Sequence, residues 1–573
     1  MRLLAKLTLV VLAAPVGAKD PLRFIPAEAG AVLRIDKPRA LIEAVTNHDL
    51  AKQAQHLQIV RDFLDSADAR RFFQLVAYYE RDLGAAWPDL LDKLAGGGIA
   101  VGFQKLEGDG PVLFVIQGTD EATVAKFLDL AFKVIEEEAE RQGSKERLVR
   151  KKYQGVECVQ IGPDFKVARV GDAILAANKD QALKAGLDAW AGSGKNTTFA
   201  SSSGPKDVAK ILPPNPAAWL WVNLVPVKAS PEAKNVLTTP RNDVVQTVLF
   251  ADLLDVARRS DFLAVGVYHN AGDFNLAVRM PAGRDGMAAD VEIHAPKDPN
   301  VGGTLPLLEP KGVLFSHSFY LDLDPIYAKR DAILPAQVSK DFVEGEKQIS
   351  RFLLGTTLPK YLSQTGVHHR VVVAPPEKVE GYKTQPGQRL PSFAVVTSMR
   401  DPGFVKTTTS IVRAVALAAG QNNVSLRSWE EEIAGLPAFG YSFPEKGKFP
   451  DDPEGLRFNY QPTVVVVKDQ MVFASNKGLA KELIGLIQKE DRSKVSAATM
   501  QTRVYASGLG EYANIAPDQT LATTILSQAL PVGEAKKQTD ALLAFLQKLG
   551  TAGATWELAP NEFRLDVRWK AGK

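Results

Sequence analysis

The sequence has almost no cysteine, since Cys158 is the only one among 573 residues. A chain with a single cysteine cannot form a disulfide within itself, so its stability must come from packing. Cys158 lies in the predicted strand Val156–Ile161, which favours a small buried apolar side chain over a nucleophile. The sequence therefore excludes a disulfide-stabilised scaffold.

Long apolar runs and charge of one sign are also scarce. Past the first residues, no stretch reaches the ~20 apolar residues that a membrane-spanning helix needs. The chain has 69 basic and 66 acidic residues, and two of the basic ones, Arg2 and Lys6, lie in a predicted leader. A nearly neutral chain has no long-range attraction to nucleic acid or to an anionic membrane. The basic run Lys145–Lys152 lacks interleaved aromatic residues and is interpreted as a solvated surface.

Recognisable catalytic motifs are missing as well. The sequence has no Gly-x-Ser-x-Gly elbow and no pair of histidines one helical turn apart with a glutamate between them. The segment Gly192–Asn196 resembles a phosphate-binding loop, but Ala189 and Asn196 stand where the motif requires glycine and a hydroxyl residue. We interpret this segment as a flexible loop. The sequence therefore identifies no catalytic residue.

The seven histidines are scattered along the chain. Only His317, with Asp322 and Asp324 close in sequence, forms a cluster to be examined for a metal, and its spacing is typical of no metal site. His368 and His369 are neighbours in a predicted strand, so their side chains should point to opposite faces and cannot both bind one ion. We expect neither a metal nor a cofactor, and the roles of His317, His368 and His369 stay open.

Residues 1–18 are typical of a cleaved secretory leader. Arg2 and Lys6 form a positive start, Leu7–Val16 a short apolar core, and Val16–Ala18 a small-residue cleavage site. An uncleaved anchor is the alternative, but the apolar core is shorter than a bilayer-spanning helix. We expect a periplasmic or secreted protein with no transmembrane segment in the mature chain.

The stretch from Gly96 to Gly143 organises the rest of the sequence. The short apolar runs Ile99–Phe103 and Val112–Ile116 predict a β-hairpin. Asp120 is a typical N-cap residue, and apolar residues then recur at helical spacing from Val124 to Ile135. This pattern predicts an amphipathic helix that ends at Gly143 and covers the hairpin.

A diverged copy of this plan follows in the second half. Its predicted strands are Val371–Ala374 and Phe393–Thr397, and its helix begins at Asp401-Pro402, where proline favours the first helical turn. Further matches occur in the same order along the two halves: Leu83–Leu91 with Leu354–Leu362, Ile174–Lys179 with Val472–Lys477, and Phe274–Arg279 with Phe563–Arg568. We predict that the chain is duplicated.

Strands mixed with helices, several joined by short hairpins, favour an α+β fold with largely antiparallel sheets that amphipathic helices cover. The predicted first half spans residues 19–283. A linker rich in glycine, proline and aspartate follows at 284–310, and the second half, a diverged repeat of the first, spans 311–573.

The order of the segments also resembles a known family. After the leader come the strand Ala31–Asp36, the hairpin and its helix, Tyr153–Val156 and Val170–Asn178. Together they resemble a family of exported bacterial proteins that is catalogued only as a domain of unknown function, over most of each half. The resemblance implies tandem α+β modules and a bacterial envelope or secreted location, and it assigns no catalytic residue.

These observations favour a non-enzymatic binding or scaffolding protein of the cell envelope, with an envelope protein or polymer as its partner and no nucleic acid. The alternative is a secreted hydrolase whose site is assembled from residues distant in sequence. A further possibility is small-molecule carriage between the halves, which would need an apolar cavity of roughly 300 Å³ or more.

Overall fold

The computed structural model describes residues 20–572 except for 107, 142–147, 193–196, 238–243, 271, 289–290, 297, 299–301, 350–352, 354, 422–423, 447–451, 493–495, 516–520, 523 and 527–528. The predicted leader, the predicted helix end at Gly143, and residues 193–196 of the predicted flexible loop lie outside the described residues.

The chain divides into two compact units. The first consists of the residues up to Val227 with Asp261–Gly272 and Leu276–Arg279, and the second of Lys228–Ser260, Asp273–Asn275 and the residues from Met280 onward. Helices and antiparallel sheet strands occur in both units, so the predicted α+β class is confirmed. The domain boundaries given above stay a prediction, and the segment 284–310 contains the fully buried side chains of Val291 and Ile293.

The sheet of the first unit is antiparallel at every pairing that the structure describes. Its strands lie in the spatial order β4-β5-β6-β7-β3-β2-β1-β8-β9. Their bounds are β1 Ala31–Ile35, β2 Gly98–Phe103, β3 Val112–Gln117, β4 Val149–Tyr153, β5 Val156–Ile161, β6 Phe165–Val170, β7 Ala173–Ala177, β8 Ala218–Asn223 and β9 Phe262–Asn270. The next strand along the chain, β10, spans Asp273–Met280 and has residues in both units.

The sheet of the second unit is also antiparallel, in the order β14-β15-β16-β17-β13-β12-β11-β18-β19-β20. The bounds are β11 Phe315–Tyr320, β12 Thr365–Ala374, β13 Ser392–Met399, β14 Arg427–Ile433, β15 Leu436–Ser442, β16 Thr463–Val467, β17 Gln470–Ala474, β18 Met500–Tyr505, β19 Thr551–Ala559 and β20 Glu562–Lys570. From β14 to β19, this order is that of the first unit with ten added to each strand number.

The helices before β10 are α1 Pro38–Thr46, α2 Asp49–Ala54, α3 Gln58–Leu64, α4 Ala67–Leu83, α5 Trp87–Ala95, α6 Glu121–Arg141, α7 Asp180–Ala191, α8 Gly204–Ile211, α9 Leu224–Ala229, α10 Pro231–Leu237 and α11 Val244–Arg259. Those after it are α12 Asp324–Ala328, α13 Arg330–Ile333, α14 Ala336–Ile349, α15 Leu358–Gln364, α16 Gly403–Gln421, α17 Lys477–Lys489, α18 Ala506–Ile515 and, as numbered here, α19 Val532–Lys548.

The predicted hairpin and helix of the first unit are confirmed as β2, β3 and α6. The side chain of Asp120 accepts a hydrogen bond from the backbone N–H of Thr123 at 2.9 Å, which satisfies one of the free amides of the first helical turn. The corresponding strands and helix of the second unit are β12, β13 and α16. There the Asp401 side chain accepts from the backbone N–H of Gly403 at 2.6 Å.

Each sheet is covered by helices on both faces. In the first unit, Val124 and Leu128 of α6 pack on one face, and Leu183 and Leu187 of α7 belong to the core on the other. In the second unit, Phe404 of α16 packs on one face, and α17 contributes several buried side chains to the core on the other: Leu479, Leu483, Ile484 and Ile487. Burial of these apolar stripes is the main source of stability in a chain without disulfides.

Candidate functional site

The helices between β1 and β2 carry large apolar side chains that the fold leaves exposed. On α3, Ile59 is 76% exposed and Phe63 69%, while on α4 Phe72 is 60% and Phe73 52% exposed. We call these four side chains the apolar helical surface. Clusters of exposed apolar side chains commonly mark sites of interaction with another molecule.

The helix that carries half of this surface is well anchored. Ser66 caps the start of α4, since its hydroxyl accepts from the backbone N–H of Ala69 at 3.2 Å, and Gly84 ends the helix in the left-handed conformation at φ 73°. Toward the C-terminal end of α4, the ring of Tyr79 packs against Phe127 of α6 with 5.0 Å between centroids. The helix is therefore held by its second half, and its first half presents Phe72 and Phe73.

A cleft of about 960 Å³ is a second candidate site in the first unit. Helices α1 and α8 and strands β1, β8 and β9 contribute to its walls, which include Lys37, Val208 and Trp219. Tyr268 also lines it and donates its hydroxyl to the carbonyl oxygen of Pro213 at 2.8 Å. The mixture of apolar and polar walls suits a small ligand with both kinds of group.

Two carboxylates line this cleft together with the guanidinium of Arg34. Arg34 donates from Nη1 to Asp20 at 2.5 Å and from Nε to Asp36 at 2.8 Å. Both carboxylates are therefore paired with the same guanidinium group, that of Arg34. The arrangement links the C-terminal end of β1 to the start of the turn at Asp20, and it leaves neither carboxylate without a strong partner.

In the second unit, His317 lies in an aromatic row on β11. Its ring stacks against Phe315 and Phe319, with centroid distances of 6.0 and 5.0 Å, and its Nδ1 lies 2.7 Å from the hydroxyl oxygen of Thr502. Burial lowers the pKa of His317 from its ordinary value of 6.5. The surroundings thus disfavour the protonated form of the imidazole.

Asp322, which is close to His317 in sequence, has other partners in the structure. Arg400 donates both terminal nitrogens to Asp322, at 2.8 and 3.0 Å, and the side chain of Asp322 also accepts from the backbone N–H of Asp324 at 3.2 Å. Within the part of the chain that the structure describes, no group of three His, Cys, Asp or Glu side chains could hold a metal ion.

His368 and His369 lie on opposite faces of β12, as the alternation of a strand predicts. The ring of His369 stacks on Phe319 at 5.3 Å, and its Nε2 lies 3.0 Å from the carbonyl oxygen of Leu321. His368 instead contacts Tyr320 edge-on at 6.0 Å. Burial lowers the pKa of both histidines.

Cys158 is half-buried in β5 and packs against the core of the first unit. Its thiol lies 3.8 Å from the carbonyl oxygen of Val156, and burial raises its pKa above the ordinary value. A raised pKa keeps the thiol protonated at neutral pH, which makes it a poor nucleophile.

Sequence reasoning missed a buried ion pair in the second unit. The side chains of Arg370 and Glu490 are 1% and 4% exposed and form an ion pair. Arg370 also donates to the side chain of Gln470 and to the carbonyl oxygen of Pro306, the latter at 3.1 Å. Burial lowers the pKa of Arg370, and the charge of Glu490 opposes that effect. These contacts are typical of a structural ion pair, one that here links β12, β17 and the end of α17.

Comparisons with known proteins add little to this geometry. No family model and no curated protein sequence matches the chain. Three solved structures of TP0453, crystal forms IV, III and I, are similar to 47%, 47% and 48% of this chain. The matches cover 83%, 81% and 84% of the TP0453 chains, at 8% sequence identity in each case and with TM-scores of 0.24, 0.23 and 0.24. Similarity at this level carries no argument about fold or function. None of the described helices is both long and apolar enough to cross a bilayer.

Proposed function

We propose that this protein is an exported, non-enzymatic binding or scaffolding protein of the bacterial envelope, made of two related α+β modules. The support for related modules is the shared strand order, in which the nine strands β1–β9 take the same relative positions as β11–β19. Matching sequence segments also take matching places. Gly84 and Gly355 both have positive φ and both precede a helix with proline in its first turn, α5 and α15.

The apolar helical surface carries the binding proposal. Burying a phenylalanine side chain stabilises a complex by about 1.5–3 kcal/mol, so four large apolar side chains supply the core of an interface before the cost of association is subtracted. Aromatic residues in the centre of an interface commonly dominate its binding energy. A monomeric protein gains nothing in stability from exposing Ile59 and Phe63 on one face of α3.

The occupant that we propose is an apolar groove on another envelope protein. The segment from Asp49 to Asp82 carries five basic and six acidic residues, so it has no net positive charge to attract an anionic lipid surface. An amphipathic helix whose apolar side chains recur at i and i+4, as Ile59 and Phe63 do, fits the helix-in-groove mode of protein recognition.

Quantitative affinity capture from the native envelope tests this proposal. The variant Phe63→Ser/Phe72→Ser should lose a partner that the wild-type protein retains, with an affinity decrease of about 100-fold or more, because each substitution removes at least 1.5 kcal/mol of buried contact. The matched control is Leu526→Ser/Val532→Ser, which changes side chains that are 84% and 63% exposed in the second unit.

The control variant should retain the partner. Recovery of the protein alone, or equal recovery of the partner by both variants, would contradict the proposal. Flotation with phosphatidylcholine vesicles that is lost only in Phe63→Ser/Phe72→Ser would instead assign the apolar helical surface to lipid, and would contradict a protein groove as the occupant.

A secreted hydrolase is the alternative, and one observation favours it: Asp20, Asp36 and His269 line the same cleft. The two hydrogen bonds from Arg34 to the carboxylates oppose it. Hydrolysis of any ester, glycoside or peptide substrate that Asp36→Asn abolishes without unfolding the protein would favour the hydrolase. Activity that is undetectable across such a panel would favour the binding protein.

A further inference from the structure

The strand order of each unit begins with an edge strand, which is β4 in the first unit and β14 in the second. In the part of the chain that the structure describes, β4 pairs only with β5, and β14 pairs only with β15. The outer side of an edge strand presents backbone N–H and C=O groups that can pair with another strand. Each copy of the chain therefore offers two such edges.

The two edges carry opposite charges. On β4, Arg150, Lys151 and Lys152 are consecutive and exposed. On β14, the exposed consecutive residues are Glu430–Glu432. Like charges directly opposite each other destabilise a strand pair, whereas opposite charges contribute roughly 0.2–1 kcal/mol per pair. Pairing of β4 with β4, or of β14 with β14, is thus opposed, while pairing of β4 with β14 is favoured.

The side-chain faces of the two edges also correspond. Arg150 lies opposite Val159, which packs in the core beneath α6, while Glu430 lies opposite Phe439, which packs against Phe404 of α16. Tyr153 and Trp429 lie on the other face: Tyr153 packs on the core that includes α7, and Trp429 on the core that includes α17. A sheet continued from β4 to β14 would therefore keep equivalent faces on the same side.

We propose that β4 of one copy of this protein pairs antiparallel with β14 of a second copy. In the register that places Lys151 opposite Glu431, Arg150 faces Glu432 and Lys152 faces Glu430. The same register places Tyr153 opposite Trp429, and cross-strand aromatic pairs are a further source of sheet stability.

The ion pairs that these residues make within one copy do not prevent this exchange. Glu430 pairs with Arg413, Arg150 with Glu157, and Glu431 with Lys477 at 2.6 Å. The Lys477 side chain is 28% exposed, and the other five side chains are between 43% and 68% exposed. Exposed ion pairs contribute about 0–1 kcal/mol, so replacing them by cross-strand pairs costs little. Because the contact joins two different edges, each copy can engage two others, and the assembly is a head-to-tail chain or a closed ring.

This inference does not depend on the apolar helical surface, and its readout is the size of the purified protein. Sedimentation velocity should show the wild-type protein assembling as its concentration rises and dissociating as salt screens the charges. Lys151→Glu/Lys152→Glu has two acidic edges, and Glu430→Lys/Glu432→Lys has two basic ones. Each variant alone should stay monomeric, and an equimolar mixture of the two should assemble.

The matched control is Lys536→Glu/Lys537→Glu, which makes the same charge change at two exposed lysines of α19 and should assemble as the wild type does. A wild-type protein that is monomeric at every concentration and salt tested would overturn the proposal, and would assign the charges to the prevention of edge pairing. Variants that assemble alone, or a mixture that stays monomeric, would overturn it too.

Disulfide trapping tests the register without reversing any charge. In a Cys158→Ala background, a copy with Lys151→Cys and a copy with Glu431→Cys should cross-link to each other on mild oxidation. The pair Lys151→Cys and Arg427→Cys, four residues out of register, should not. Equal cross-linking by both pairs would contradict the proposed register.

Discussion

At the scale of single residues, the ion pair of Arg370 and Glu490 is the most buried ion pair in the part of the chain that the structure describes. Removing one partner leaves the other charge buried and uncompensated, so Glu490→Gln should lower the free energy of unfolding by about 3–5 kcal/mol. Glu430→Gln, at an ion pair whose side chains are 61% and 68% exposed, is the control and should cost less than about 1 kcal/mol. Urea unfolding measures both, and equal losses would contradict a structural role for the buried pair.

Buried His369 and half-buried His317 and His368 in the second unit predict a pH dependence of stability. The pKa values of His317, His368 and His369 are all lowered by burial from 6.5. Below that pH, the unfolded chain binds protons that the folded chain does not, so stability should fall as the pH drops from 7 toward 5. His317→Gln should reduce this slope, and His56→Gln, at an exposed position, should leave it unchanged. Identical slopes in unfolding experiments would show that burial of His317 contributes nothing.

Local sequence patterns predicted the roles of single residues well, but they could not predict contacts between residues that are distant in sequence. The cap at Asp120 follows from its place before an amphipathic run, and the structure confirms its bond to Thr123. Asp322 was grouped with His317 because they are close in sequence, but its partner Arg400 is 78 residues away. Only the register of β11, β12 and β13 brings such residues together, and register is decided by the whole sheet.

At the scale of elements, the start of α6 offers a direct test of the helix signal. Asp120→Ala should lower the free energy of unfolding by about 1 kcal/mol, because the N–H of Thr123 loses its acceptor. Asp129→Ala, at an exposed position in the middle of the same helix, is the matched control and should be nearly neutral. Thermal unfolding compares the two. If Asp129→Ala destabilised the protein as much as Asp120→Ala does, the result would contradict a capping role for Asp120.

Periodicity predicted the hairpin of β2 and β3 and the helix α6 because strand and helix repeats are local properties. It could not predict the exposure of Ile59 and Phe63. Apolar residues at i and i+4 normally predict a buried stripe, and whether a partner element covers that stripe depends on tertiary packing. The structure was therefore needed to find the apolar helical surface.

At the scale of the whole molecule, the predicted leader can be tested by the mass of the mature protein. Protein isolated from its native source should lack residues 1–18 and begin at Lys19, because the small residues before that position favour cleavage there. Intact mass spectrometry measures this directly, with protein expressed without export as the reference. An intact mass that includes Arg2 and Lys6 would instead indicate a retained anchor.

Segment matches between the halves predicted repeated modules, but no sequence pattern gives the spatial order of the strands. The order arises from pairings between strands far apart along the chain, such as β1 with β8 and β11 with β18. For the same reason the charged edges at β4 and β14 emerge only once the two orders are known. Their residues alone predict two solvated strands.

The central claim is that the apolar helical surface binds an envelope protein. Site-specific photo-cross-linking in intact cells tests it most directly, with a photoreactive phenylalanine analogue at position 63 and, as the control, at the exposed position 526. A covalent adduct with one envelope protein is expected from position 63 and none from position 526. The absence of any protein adduct at position 63, or the same adduct from both positions, would contradict it.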